Sequence, residues 1–173
     1  MLAVLLAAAA PSVSAASRDD GIVASRNFDR DLFDILLEEA DADGDSQLNE
    51  YELSQIQSLD LSGMGLSSLK GLDELPNLSY LDASDNELSS VSSIGSCEYL
   101  TYLDLSDNNI SNLSGLNRLE NLEELNLSGN RVSTVTSLRY LENLTSLDLT
   151  GNRMSNSSSL SSLDSLAYLV LDD

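Results

Sequence analysis

Leu59, Leu81, Leu103, Leu125, Leu147 and Leu169 each stand 22 residues after the last, and no insertion breaks the register. A period held over six occurrences leaves few ways to fold. One supersecondary unit is repeated and stacked, because a unit this short cannot bury its apolar face alone. Around each leucine the wording LxxLxLxxNxL recurs, as in Leu100, Leu103, Leu105, Asn108 and Ile110, and again in Leu122, Leu125, Leu127, Asn130 and Val132. With 42% hydrophobic residues there is enough to build a core, and with only 5% aromatic it is leucine that fills it.

The columns assign each position a side. Alternation puts Leu81 and Ala83 inward and Tyr80, Asp82 and Ser84 outward, so each repeat gives one short strand of a parallel sheet whose outer side is a concave face. Asn86, Asn108, Asn130 and Asn152 fall where the chain turns out of the strand, where buried amides donate to carbonyls of the neighbouring repeat as a ladder. The first repeat has Met64 there, as suits a terminal unit with a cap on its outer side. Three further apolar columns line the convex half: Leu69, Val91, Leu113 and Val135; Leu72, Ile94, Leu116, Leu138 and Leu160; Leu75, Cys97, Leu119, Leu141 and Leu163. Cys97 thus occupies a leucine position and reads as a small buried hydrophobe, not a reactive thiol. Ser157 breaks the first of these columns inside the run 155–159, so repeat quality decays towards the carboxyl end. The sequence stops one residue before the next Asn column. Asp172 and Asp173 discourage edge pairing there, or a partner covers the end, or the sequence is a fragment. This is the leucine-rich-repeat signature, and it predicts an α/β solenoid: a right-handed horseshoe or arc with a parallel β-sheet on its concave face.

Charge removes several function classes. The 173 residues hold 29 Asp plus Glu against 8 Lys plus Arg, a formal charge of -21. Such a surface repels phosphate backbones and anionic headgroups, so neither nucleic acid nor membrane is an expected partner. Without His there is no imidazole base, and a single Cys builds neither a disulfide nor a thiolate zinc site. Neighbouring aspartates on an evenly spaced solvated ladder lack what would separate their pKa values, so a glycosidase pair is not expected and the chain reads as a non-enzyme.

Residues 1–16, MLAVLLAAAAPSVSAA, combine an apolar run, Pro11 and small residues suited to cleavage after Ala15 or Ala16. This reads as a secretory signal peptide, giving a secreted, cell-surface or periplasmic location, although the first basic residue, Arg18, follows the run. The run is shorter than the roughly 20 residues a membrane span needs. Residues 17–26 read as a linker, 27–57 as a helical cap, and 58–173 as about five repeats of 22 residues plus a final strand.

In the cap, residues 27–40 place Phe28, Leu32, Ile35 and Leu36 on one helical face, with Asp29 and Asp31 near the positive end of the helix dipole. DADGDSQLNEYE follows, residues 41–52, and matches the twelve-residue EF-hand calcium loop. Asp41, Asp43 and Asp45 take positions 1, 3 and 5, Gln47 position 7 through its carbonyl, Asn49 position 9 through a water, and Glu52 the bidentate position 12. Ser46 replaces the usual Gly at position 6, where left-handed backbone costs a non-Gly residue on the order of 1–2 kcal/mol. That substitution weakens a calcium site without abolishing it, and suits a structural ion better than a sensor. The alternative is an acidic turn that holds no metal. EF-hands pair through position 8, so Leu48 needs other cover, expected from the first repeat. A second helix over about residues 50–56 leads to the first strand.

The cap followed by SLDLSGMGLSSLKGLDELPNLSYLDASDN resembles the secreted bacterial leucine-rich-repeat proteins of the internalin type, over residues 27–173. The 22-residue length and the PNLSYLDASDNEL wording are shared with that group and with intracellular relatives that regulate protein phosphatases. The resemblance implies a non-enzymatic adhesion or recognition module that binds a protein, less often a glycan, on the concave face. The alternatives are an intracellular scaffold of the phosphatase-regulator kind and an accessory domain of a larger secreted protein. One outward column of that face holds Tyr80, Tyr102, Glu124 and Tyr168, the next Asp82, Asp104, Asn126 and Asp148. Tyrosines flanked by carboxylates make plausible hot spots and call for a protein partner with a basic surface. The Asp column also suits the repeat consensus. Sequons begin at Asn77, Asn109, Asn112, Asn126, Asn143 and Asn156, mostly from the repeat wording itself.

Overall fold

The computed structural model describes residues 5–6, 21–155 and 157–171. Most of the segment read as a signal peptide lies outside them. Leu5–Leu6 form a short strand, β1, set antiparallel against β2, Ile56–Asp60, with Leu5 opposite Ser58. The remaining strands are β3 (Tyr80–Asp82), β4 (Tyr102–Asp104), β5 (Glu124–Asn126), β6 (Ser146–Asp148) and β7 (Tyr168–Val170). From β2 onward they run parallel in sequence order, each residue pairing with the one 22 positions later, as Ser58 with Tyr80 and Tyr80 with Tyr102. Sequence period and sheet register are therefore one quantity, and the molecule is a leucine-rich-repeat solenoid with an open parallel sheet.

Each repeat returns through a 3-10 helical turn: Leu72–Glu74, Ser92–Ser96, Ser114–Arg118, Thr136–Tyr140 and Ser158–Ser162. The convex leucines explain why. Val91, Ile94, Cys97 and Leu100 recur every third residue, and only a three-residue turn puts all four on one inward side. Their amides follow that period, Ile94 N–H donating to Val91 O, Cys97 to Ile94 O and Leu100 to Cys97 O. All these side chains are buried. The Cys97 thiol donates to Leu72 O at 3.4 Å, and burial, then the charge of Asp73, pushes its pKa up to about 12. It packs as a leucine would.

The asparagine ladder forms as expected. Asn108 Nδ2 donates to Ala83 O of the previous repeat at 2.9 Å and to Leu105 O and Ser106 O of its own. Its Oδ1 also accepts from Leu88 N–H at 2.9 Å, so each amide ties two repeats twice. Asn86, Asn130 and Asn152 repeat the pattern.

The cap comprises α1, Arg30–Ala40, and α2, Glu50–Ser54. Leu32, Leu36 and Ala40 form the buried stripe of α1, with Phe28 buried just before the helix, while Ile35, expected there, is only half-buried. The second helix ends earlier than its pattern suggested because Ile56 already belongs to β2. Residues 21–26, which read as linker, join the cap. Val23 N–H donates to Leu48 O at 2.8 Å, Glu50 N–H to Gly21 O at 3.1 Å, and Ile22 bridges Asn49. A seam binds cap to repeats: Asp29 N–H donates to Lys70 O at 2.7 Å, Asn27 Nδ2 to Glu74 Oε1 at 2.7 Å, and Lys70 Nζ to Arg26 O at 2.6 Å.

Candidate functional site

The parallel register stacks the outward residues of successive strands into the face the sequence marked. Tyr80 and Tyr102 lie opposite each other on β3 and β4, with rings stacked at 4.3 Å between centroids and 4° between planes. Burial, then the charge of Asp104, raises the pKa of the Tyr102 phenol above its usual value, with Tyr80 adding to the effect. Glu124 follows Tyr102 across the β4–β5 pair and is exposed. Tyr168 sits on β7 beyond Ser146, 73% exposed, apart from the tyrosine pair.

The aspartate column is built by a local device. Asp82 Oδ1 accepts both the Ser84 amide, at 3.0 Å, and its hydroxyl, at 2.6 Å. Asp60 with Ser62 and Asp104 with Ser106 do the same, Asn126 fills the role with Ser128, and Asp148 takes the Thr150 amide. One oxygen of each carboxylate is therefore fixed by the turn. Among the described residues, Oδ2 of Asp60, Asp82 and Asp148 has no hydrogen-bond partner, while Oδ2 of Asp104 accepts Asn126 Nδ2 at 3.0 Å. The hydrogen bond of Oδ1 to the turn is what the repeat consensus encodes in these aspartates. The D-x-S spacing was the signal for this and went unread. Neither outward column holds a Lys or Arg.

In the cap loop the carboxylate oxygens of Asp41, Asp43 and Asp45 lie within 4.8 Å of one another. Asp41 Oδ1 accepts from Gly44 N–H at 2.8 Å and Oδ2 from Ser46 N–H at 2.9 Å; Asp45 Oδ1 accepts from Gln47 N–H at 2.8 Å. Ser46 has φ 63°, the left-handed backbone that position 6 demands. Glu52 is 4% exposed, and its two oxygens accept from Ala42 N–H at 2.9 Å and Asn49 N–H at 3.1 Å. Asn49 Oδ1 caps α2 by accepting from Glu52 N–H at 2.9 Å. Glu52 and Asn49 thus close the loop into its exit helix, and the three aspartates converge in front of it. Gln47 Nε2 donates to Asp45 at 3.2 Å. Leu48 is fully buried, and its carbonyl accepts from Val23 N–H at 2.8 Å.

A second amide ladder escaped the sequence reading. Asn77, Asn121 and Asn143 donate from Nδ2 to Ser54 O, Glu98 O and Glu120 O, each at 2.8 Å and one repeat earlier. Its signal is the recurring Asn-Leu at 22 residues, interrupted by Tyr99. Two of the sequon asparagines, Asn77 and Asn143, serve in it.

Leucine-rich-repeat family models match residues 100–140, in two copies, and residues 136–164. No curated protein sequence matches the chain. Among solved structures, an internalin from Listeria monocytogenes has a TM-score of 0.77 and 30% identity, covering 84% of this chain and 44% of its own. Internalin C2 of the same organism has a TM-score of 0.79 and 27% identity, covering 89% and 69%. A leucine-rich-repeat protein from Leptospira interrogans has a TM-score of 0.64 and 28% identity, covering 69% and 32%. The chain therefore spans less than half the length of the first internalin. Repeat and register make it a leucine-rich-repeat protein, and its fold is similar to that of the internalins.

Proposed function

We propose that the chain is an exported, non-enzymatic recognition or adhesion module that binds a protein with a basic surface on its concave sheet, with one structural calcium ion in its amino-terminal cap. One observation carries the binding surface: the stacked Tyr80–Tyr102 pair stands within a row of carboxylates that has no cation beside it. Because the turns fix one oxygen of Asp82 and of Asp148, the other is held in place before a partner Lys or Arg arrives, which lowers the entropy cost of pairing. The tyrosine rings add rigid contact area with polar tips. Six parallel strands at about 4.8 Å give a face roughly 24 Å across, enough for one small-domain contact. The acidity disfavours nucleic acid. Among the described residues no helix is long and apolar enough to cross a membrane. Export rests on the wording of residues 1–16 and on the likeness to internalins.

The cap chemistry suits calcium. Asp41, Asp43 and Asp45 would hold the ion, with the Gln47 carbonyl, a water at Asn49 and Glu52 completing the hard-oxygen set that calcium takes. The ion would neutralise like charges that the loop otherwise brings together.

The test captures partners from a cell-surface extract on the immobilised chain and titrates the purified partner against wild type, Tyr102→Ala and Asp82→Asn. Asn126 fills the aspartate role with Ser128, so Asp82→Asn leaves the turn intact. The expected result is a basic partner whose Kd weakens about tenfold, near 1.4 kcal/mol, in each variant and also with added salt. A partner indifferent to salt and to Tyr102→Ala would refute the concave reading.

A further inference from the structure

We propose that the convex side carries a second, separate binding site: a polar groove across the turns of the middle repeats that takes a short acidic oligosaccharide of the uronate type. The groove exists because two glycines let backbone pack on backbone. A Cβ on Gly115 would stand 2.2 Å from Val91 O, and one on Gly95 2.7 Å from Gly115 O. The turns Ser92–Ser96 and Ser114–Arg118 therefore close tightly beneath the surface with no side chain above the contact. Two depressions result, of about 340 and 350 Å³, and they share Ser114 and Asn117. Ser92 and Arg118 line one and Arg139 and Tyr140 the other, so together they make a continuous groove over three repeats.

The lining selects the ligand. Hydroxyls and an amide both donate and accept, as the hydroxyls of a sugar require. Asn117 is half-buried at the junction of the depressions, and among the described residues its amide has no hydrogen-bond partner. Two of the chain's 8 cations, Arg118 and Arg139, line the groove. The one ion pair among the described residues is Arg30 with Asp34, so neither groove arginine is neutralised by a carboxylate. Arg139 lies 4.6 Å from the centroid of the Tyr140 ring and donates to its phenol oxygen, which holds the guanidinium in position. A guanidinium fork pairs bidentately with a carboxylate. A peptide would find neither a strand edge nor an apolar pocket here. Glu98, Glu120 and Glu142 stand two residues after the three turns and oppose a densely sulfated chain more strongly than one with a single carboxylate per ring. The site shares no residue with the concave face and stands independently of it.

The test is calorimetric titration of the full chain, in EDTA at physiological ionic strength, with a short oligogalacturonate. A neutral oligosaccharide of equal length, a short polyglutamate and a heparin-derived oligosaccharide are the comparators. The double variant Arg118→Ser/Arg139→Ser keeps the fold, since Ser96 and Ser161 stand in the corresponding columns; an unchanged melting curve checks this. Oligogalacturonate is expected to bind, at least about tenfold more tightly than each comparator and than to the double variant. Asn117→Ala, which alters no charge, is expected to weaken it about fivefold. Tyr102→Ala is expected to leave it unchanged. The proposal is overturned by no oligogalacturonate binding, by equal binding of a comparator, by indifference to the arginine substitutions or to Asn117→Ala, or by dependence on Tyr102.

Discussion

Ser46, Asp85 and Asp107 carry positive φ, at 63°, 54° and 53°, without being glycine. Asp85 and Asp107 share a column with Gly63, Gly129 and Gly151, so the same left-handed turn is filled by aspartate in two repeats and glycine in three. A short polar side chain tolerates that backbone better than a branched one does. Ser46 lies in the loop proposed to hold calcium. Ser46→Gly relieves strain and is expected to stabilise the chain by about 1 kcal/mol, roughly 2–4 °C in thermal unfolding. Calcium at ten times Kd is expected to add about 1.4 kcal/mol on top, an effect absent in Asp41→Ala. Magnesium is the control, because any divalent cation screens a charge of -21. An equal magnesium shift, or none with calcium, would leave the loop an acidic turn. The positive φ at this position was legible in the sequence because the loop spacing demands it; the engagement of both Glu52 oxygens by Ala42 and Asn49 was not, because that bond depends on how α2 meets the loop.

At the scale of the element, the strand and the convex turn are held by different means. Three-residue strands have little ladder of their own, and the buried asparagines supply what they lack. Asn108→Ala leaves Leu88 N–H without its partner, while the Ala83, Leu105 and Ser106 carbonyls each lose one of two donors and keep Asn86 Nδ2, Asn130 Nδ2 and Asp85 N–H respectively. With one orphaned buried donor costing about 1–3 kcal/mol and three carbonyls weakened, the expected loss is about 2–4 kcal/mol, measured by urea unfolding. Asn152→Ala is expected to cost less, because Asn152 is only half-buried. Equal losses would show that burial of the ladder does not set its worth. The strands and the asparagine column were plain in the sequence. The 3-10 turns were encoded equally plainly in the spacing of Val91, Ile94 and Cys97, but that spacing has meaning only once the short period has excluded an α-helix.

In the whole molecule, the cap and the repeats meet at one tight point. Gly71 has φ 108°, and a Cβ there would stand 2.2 Å from Phe28 Cδ1 and 2.9 Å from the Phe28 Cα. Phe28 therefore seats α1 against the first repeat only because position 71 is glycine. Gly71→Ala is expected to cost more than about 2 kcal/mol and to lower hydrogen-exchange protection in α1 before β4 and β5. Uniform loss along the chain would mean that cap and solenoid unfold as one body, against nearest-neighbour coupling. The charge is also organised at this scale. Carboxylates line the concave sheet, and half of the cations gather at residues 118–153.

The sequence by itself determined the solenoid, its register, its inward leucines and the outward Tyr and Asp columns, because a fixed period makes each neighbour in space a neighbour one repeat away. Tertiary structure alone decided what depends on close approach between units of unlike sequence. It drew residues 21–26 into the cap beside Leu48, seated Phe28 at Gly71, tied one oxygen of each column aspartate into its turn, and opened the groove above Gly95 and Gly115. These features rest on single distances between backbones, and a column of residue types carries no distances.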